Sequence, residues 1–434
     1  MQEIIVIGAG VVGLTSAWWL LEAGYRVTLL ERAAQVGTGT SYANGGQLSY
    51  RYVSPLADAG VPLKALQWLF QEHGPLRLRP QADPHQWRWL AAFLANCRAD
   101  ANHRTTQRLL QLGELSRRGM AQLAPVVPPA GFGWRAAGKL VVYRSRKAFD
   151  AAVAKSSAAA SAVSTAAADG TGASQVWSAG DCVAHEPALA AMEDRLAGGI
   201  YNSGEAVADC YAFCVALAER VRAHPRFQGV IQGEAMRIVT AGDRVTGLET
   251  SAGVLAADAY VLAAGMQSRT LALTAAISLP LYPLKGYSLS APIRRDDVAP
   301  EISVTDFERK VLYARIGDQL RVAAMVDMVG EDLRLDARRL ASLTRQVRET
   351  MPRAADYTSI TPWAGLRPAT PDSAPLIGPT RYANLWLNVG HGALGFTFAC
   401  GTASLLTDLL RGQTTPLALA FGGLRGQSTR TARK

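Results

Sequence analysis

The chain has 434 residues, 49% of them apolar and 18% charged, with a formal net charge of +10. That length and balance suit a large soluble α/β enzyme of two domains. No apolar run reaches the roughly 18–20 residues a membrane span needs, and five scattered cysteines offer no ligand set for a metal. The chain enters a strand at once, without the regions of an export signal, so a cytoplasmic protein with reduced thiols is expected. Basic residues are spread out except in the tail RGQSTRTARK, which speaks against nucleic acid and suits an anionic substrate or an anionic membrane face.

In chain order, Ile4 to Ile7 is a short β-branched run that reads as a buried parallel strand. Gly8, Gly10 and Gly13 follow at GxGxxG spacing. Gly8 permits a tight turn, Gly10 lets backbone approach a pyrophosphate, and Gly13 lets the next helix press on the strand. That helix is predicted from about Val12 to Glu22, with Val11 and Val12 at its start and Gly24 as C-cap. Its N-terminus offers free N–H groups to a diphosphate. Arg26 to Leu30 is the second strand, and Glu31 at its end is placed to accept from both ribose hydroxyls of an adenosine. Glu31 would repel a 2′-phosphate, which disfavours NADP, although Arg32 stands beside it. The motif alone leaves NAD and FAD open.

Residues 37–49, GTGTSYANGGQLS, form a loop of small and polar residues that brings backbone close to a ligand. Residues 61–97 are rich in Trp and Leu: Leu66, Trp68, Leu69 and Phe70 fall in one helical stretch, and Trp87, Trp89 and Phe93 in another. Core packing and an interfacial membrane patch both account for them. His103 to Leu123 reads as a long amphipathic helix, residues 134–145 as a strand, and the Ala/Ser-rich residues 151–174 as a marginal exposed helix. A helix follows from Asp209 to Ala223. Residues 244–265 read as a hairpin and a buried strand ending at Ala264 and Gly265. Antiparallel strands occupy 307–329 and a charged helix 333–351. Near the end, a strand (Leu385 to Val389), the turn GHGALGFT and a helix from about Phe398 repeat the strand, glycine turn and helix of the start.

These stretches together resemble the D-amino acid oxidase/glycine oxidase-like family of FAD enzymes, and within it the bacterial D-amino acid dehydrogenases. The resemblance rests on GAGVVG with Glu31, SYANGGQ, VPLKALQWLFQEHGPL, YPLKGYSL, WAGLRPATPDSAPLIG and LWLNVGHGALGFTFACG, and spans nearly the whole chain. It implies a Rossmann-like FAD-binding domain (residues 1–56, 180–270 and 363–434) and an antiparallel-sheet substrate domain (57–179 and 271–362). It further implies oxidation of a D-amino acid to an imino acid, hydrolysed to a 2-oxo acid and ammonia. Electrons would pass to a quinone of a respiratory chain, with the protein peripheral on the inner face of the cell membrane and touching it through 61–97. By position, Gly8, Gly10, Gly13, Glu31 and Arg32 would hold the ADP half. Ser41, Asn44, Gly45, Gly46 and Gln47 would line the pyrophosphate and the near side of the flavin. Ala235 would meet adenine, Ala264 and Gly265 would lie near the diphosphate, and Gly392, Leu394, Gly395 and Thr397 would meet the isoalloxazine.

Arg367 of GLRP would bind the substrate carboxylate, because a guanidinium offers a bidentate fork where Lys offers a point charge. Before a proline, in a turn between structured segments, it can point into a cleft. Tyr52 and Tyr287 are candidates for the second donor, Lys285 for the rim or the reduced flavin, and Arg315 is a weaker candidate ligand. His391 adjoins the second glycine turn, where it polarises the ring, takes a proton, or holds the loop. No dedicated general base is evident. The rival readings are a glycine, sarcosine or D-hydroxyproline oxidase or dehydrogenase of the same build, and a flavin-binding subunit whose catalysis sits on a partner chain.

Overall fold

The computed structural model describes residues 2–63, 65, 74–163 and 174–422. The first glycine turn lies in a βαβ unit: β1 (Glu3–Ile7), α1 (Val11–Glu22) and β2 (Arg26–Glu31). β1 and β2 pair in parallel with Ile4 opposite Val27 and Ile7 opposite Leu30. Their β-branched and Leu residues are buried because the sheet is covered on both faces. From edge to edge the sheet runs Leu376–Pro379, Leu385–Val389, Ala259–Leu262, β1, β2 and Phe227–Gln232. Only the edge strand Leu376–Pro379 is antiparallel to its neighbour. The two strand-turn-helix units, far apart in sequence, are thus brought into one sheet.

On one face, α1 packs against the C-terminal helix Gly395–Leu410, which in turn packs on the long helix Ala99–Leu123. The crossing is close: a Cβ at Gly119 would stand 2.9 Å from Cys400 Cβ, and one at Gly401 would stand 2.9 Å from the Leu112 carbonyl. The stretch Gly392–Leu410 is long and apolar enough to cross a membrane by length and composition, contrary to the expectation from the sequence. It is mostly buried between its neighbours, as a core helix is.

The second sheet runs Thr361–Ala369, Tyr282–Pro292, Gln319–Met328, Val311–Ile316, Ser303–Asp306, Lys139–Tyr143, Gly198–Asn202 and Gln175–Trp177. Leu76–Leu78 pairs beside Gln319–Met328. It is antiparallel except where Lys139–Tyr143 meets Ser303–Asp306 and where Leu76–Leu78 joins. One face packs against Ala337–Thr350, which is capped by Asp336 and buries Leu343 and Val347. The other face meets the ligand cavity.

Two expected boundaries move. Gly198–Asn202 belongs to the antiparallel sheet rather than to the dinucleotide side, because it pairs with Lys139–Tyr143. Ala99–Leu123 covers the parallel sheet side rather than the substrate sheet, since Leu109, Leu112, Met120 and Leu123 join the core of that side. Of the Trp-rich segment, Pro84–Asn96 is a helix in which Trp89 is buried and Trp87 exposed. Leu66, Trp68, Leu69, Phe70 and the basic tail lie outside the described residues.

Candidate active site

A single cavity of about 2670 Å³ runs between the two sheets, from Glu31 at the end of β2 to His391 and Gly392 at the second glycine turn. At its first end, Gly8 adopts φ +101°, and a Cβ there would stand 2.8 Å from the Ala263 carbonyl. A Cβ on Gly13 would lie 1.8 Å from the Gly8 carbonyl, so the helix rests on the turn with no room for a side chain. Glu31 accepts from Ala9 N at 2.7 Å and from Ala33 N at 2.9 Å, which presents its carboxylate to the cavity in a fixed orientation. Ser41 Oγ accepts from Val11 N at 3.1 Å. Val12, Arg32, Ala235, Ala264 and Gly265 also line this end. Arg32 is half exposed and lies 4.0 Å from Glu234.

The loop carrying SYANGGQ lies across the antiparallel sheet one residue at a time. Ser288 Oγ donates to the Ala43 carbonyl at 2.6 Å, and Arg321 donates to the Asn44 carbonyl at 2.8 Å. A Cβ on Gly45 would touch Ala323 and Leu312 at 3.3 Å, and one on Gly46, at φ +63°, would lie 2.7 Å from the Ala208 carbonyl. Gln47 ends the crossing: its Nε2 donates to Ser303 Oγ, and its Oε1 accepts from Lys139 Nζ at 2.5 Å. Each glycine is therefore a point of close approach between the loop and the sheet. All of residues 43–47 border the cavity.

At the far end, Gly390 and Gly392 take positive φ values of +83° and +54°, and Leu394, Gly395 and Phe396 continue the wall. Thr397 departs from expectation. Its hydroxyl accepts from Ser49 N at 3.1 Å and donates to the Gln47 carbonyl at 3.3 Å. It stitches the two loops together and is not part of the cavity wall.

The substrate candidates separate. Arg367 lies on the strand Thr361–Ala369, not in a turn, and borders the cavity. Its Nη1 donates to the Met325 carbonyl at 2.9 Å. Met325 has φ +66° where the strand register of Tyr282–Pro292 against Gln319–Met328 shifts, and the bulge turns its carbonyl to the guanidinium. Burial draws the Arg367 pKa down to about 10 and the charge of Asp327 opposes this, so the group remains cationic at neutral pH. Tyr52 borders the cavity with its ring 4.3 Å below Lys139 Nζ.

Two expectations are corrected, those for Lys285 and Tyr287, and of the readings open to His391 the loop-holding one fits its contacts. Lys285 is 1% exposed and donates to the Arg334 carbonyl; strand alternation sends it away from the cavity that its neighbours Leu284 and Gly286 line. Tyr287 borders the cavity, but its hydroxyl donates to Asp327 at 3.1 Å, so the proton expected for a substrate carboxylate is taken. His391 is 5% exposed, and its Nε2 hydrogen-bonds Thr402 Oγ1 at 3.2 Å; burial lowers its pKa to about 3. It is a neutral ring holding the turn onto the helix. The weaker candidate Arg315 is ion-paired with Glu301 at the surface.

Sequence reasoning passed over Gly286, Met325, Lys139 and Glu205. The signals were faint: a Lys heading the apolar run KLVVY, and a Gly inside the long strand YPLKGYSLSAP.

A glycine cradle at a helix start, an acid fixed at the end of β2, and a second glycine turn across one cavity define a protein built to hold a dinucleotide along its whole length. A βαβ unit of this kind with a second, antiparallel sheet over the far end of the cavity is the class of two-domain oxidoreductase. Residues 3–409 match the family described as FAD dependent oxidoreductase, and the chain belongs to that family. FAD is its cofactor, and the cavity fits it. The chain is 49% identical over 407 residues to D-amino acid dehydrogenase 2 of Pseudomonas aeruginosa, covering 94% of each chain. It is 44% identical over 428 residues to D-amino acid dehydrogenase 2 of Ralstonia nicotianae, covering 96% of this chain and 99% of that one. Among solved structures, glycine oxidase from Geobacillus kaustophilus superposes with TM-score 0.74 at 20% identity, over 98% of this chain and 99% of that one. That likeness concerns the fold.

Proposed function

We propose that the protein oxidises D-amino acids to 2-oxo acids and ammonia and passes the electrons to a quinone-type acceptor. The observation that carries the reading is Arg367: a cationic fork on the cavity wall, anchored by one backbone carbonyl, at the end of the cavity where the second glycine turn lies. The names of the relatives point to the same substrate class.

Bound FAD supplies the hydride acceptor. Arg367 fixes the carboxylate of the substrate, which leaves the Cα–H only a rotation to settle. Tyr52 provides the second donor, a hydroxyl. His391 stays neutral and contributes no proton near neutral pH. The ammonium loses its proton to water before oxidation.

The mouth of the cavity supports this reading of the acceptor and its location. Trp87, Leu94 and Leu56 line it and are 46–54% exposed, and they suit an apolar acceptor and the headgroup region of a membrane. The net charge of +10 suits an anionic inner face.

Anaerobic addition of a panel of D- and L-amino acids tests the substrate: D-amino acids bleach the flavin and L-amino acids do not. Bleaching by glycine or sarcosine alone would replace this reading with its rival. Turnover should be faster with a quinone analogue than with oxygen, and the protein should sediment with anionic vesicles at low salt. Failure of either overturns the corresponding part.

A further inference from the structure

Lys139 begins the strand Lys139–Tyr143 and is 2% exposed, yet it borders the cavity. A buried ammonium is costly unless its charge does something for the fold or the site. Its Nζ donates to Gln47 Oε1 at 2.5 Å and to Ser49 Oγ at 3.0 Å, and lies 4.3 Å from the centroid of the Tyr52 ring. Three partners therefore come from one strip of chain, residues 47–52. The backbone of the same strip is held from the other side. Glu205 accepts from Tyr50 N at 2.6 Å, Arg51 N at 2.9 Å and Tyr52 N at 3.2 Å. Thr397 binds the strip to the second glycine turn.

We propose that Lys139 is a positioning residue: its ammonium holds Gln47, Ser49 and the ring of Tyr52 in the arrangement that presents the Tyr52 hydroxyl to the substrate carboxylate. This rests on the reading of the cavity as an amino-acid site. Lys139 reaches the substrate only through Tyr52, and the attraction of an ammonium to a ring face exists only while the nitrogen is charged.

The charge is poised to be lost. Burial draws the Lys139 pKa down to about 8, and Glu205 opposes the shift. The groups that face Lys139 are few. The 47–52 strip brings Tyr52. The loop before Ala206–Val207 brings Glu205, and the neighbouring strands bring Asn202 and Ser303 at its register. Tyr143 follows on its own strand face. Above pH 8 the nitrogen keeps its place but loses one donor and its hold on the ring. Carboxylate binding then weakens, while the distant ADP half of the cavity is untouched.

The test uses the holoenzyme and butanoate, a carboxylate that cannot be oxidised as an amine, titrated by its perturbation of the flavin spectrum. In the wild type, butanoate affinity should fall about tenfold between pH 7 and pH 9.5, with a midpoint near 8. Lys139→Met should retain flavin, bind butanoate about tenfold more weakly at pH 7, and show no alkaline limb. Lys139→Arg should keep most of the affinity and also lose the limb, because its charge persists. In a Tyr52→Phe background, Lys139→Met should weaken butanoate by less than in the wild type, since both changes remove one contact. Wild-type affinity in Lys139→Met, or additive losses in the double variant, would overturn the proposal. If the variants fail to fold, a pH-independent wild-type affinity overturns it alone. Failure of the functional reading looks different: no amino acid bleaches the flavin, whatever butanoate does.

Discussion

The guanidinium of Arg367 lies flat on the backbone of Gly286. A Cβ at Gly286 would stand 2.2 Å from Nη2 and 2.4 Å from Cζ. Gly286 pairs across the strands with Gly365, where a Cβ would meet the Trp363 ring at 2.1 Å. Two adjacent glycines thus form a shelf that supports a cation and an indole side by side. Gly286→Ala should displace the fork without disturbing the ADP half. Flavin content should be unchanged and kcat/KM for D-amino acids should fall about 10- to 100-fold, mostly through KM, the worth of one charge-assisted pair. Steady-state kinetics beside flavin absorbance checks this.

Arg367→Lys keeps the charge and loses the fork. A point charge cannot hold the Met325 carbonyl and both carboxylate oxygens at once, so kcat/KM should drop by about tenfold or more while flavin remains bound. Arg-like kinetics in this variant would show that charge alone suffices.

Glu31 is held by Ala9 N and Ala33 N and offers its carboxylate to the cavity. Glu31→Gln should weaken FAD binding about tenfold, since a charged acceptor becomes neutral. The ratio of flavin to protein after dialysis, measured by absorbance, should fall below that of the wild type.

Behind the shelf, Asp327 is fully buried and meets Arg339 at 2.7 Å, Arg77 at 2.6 Å and the Tyr287 hydroxyl at 3.1 Å. Asp327→Asn leaves the buried Arg339 with a neutral partner, while Arg77 keeps Asp336. Breaking a buried pair in this way costs about 3–5 kcal/mol, to be read from urea unfolding of the holoenzyme.

His391 makes stability depend on acid. Its folded pKa, about 3, lies below the unfolded value, so the unfolded chain binds the extra proton. Its contribution is whole above pH 6.5 and is lost as pH falls toward 3. The upper bound of that loss down to pH 4 is about 3 kcal/mol. His391→Asn should unfold with a shallower pH dependence over that window; an unchanged slope would remove histidine from the account.

The strand, glycine turn, helix and acid of residues 3–31 were readable because each is a short-range pattern, completed within about thirty residues. The second glycine turn was equally plain; Arg367 borders the cavity, but from a strand and not from the turn expected before its proline. Lys285 and Tyr287 misled because YPLKGYSL is a strand whose sides alternate, and a bulge beside Met325 decides which side meets the cavity. Thr397 misled because a helix start has two sides, and its hydroxyl turned to the loop.

Local order in this chain follows from residue chemistry alone: glycines where a Cβ would collide, β-branched runs where a sheet is covered, an acid at the end of β2. The amino-acid order carries that much because neighbours along the chain meet in any fold. The pairing of Lys139 with Gln47, of Arg367 with Met325, and of Glu205 with Tyr50 to Tyr52 joins residues 42 to 155 positions apart. Such contacts exist only after two sheets have closed on each other, because their free energy comes from burial that no single segment provides.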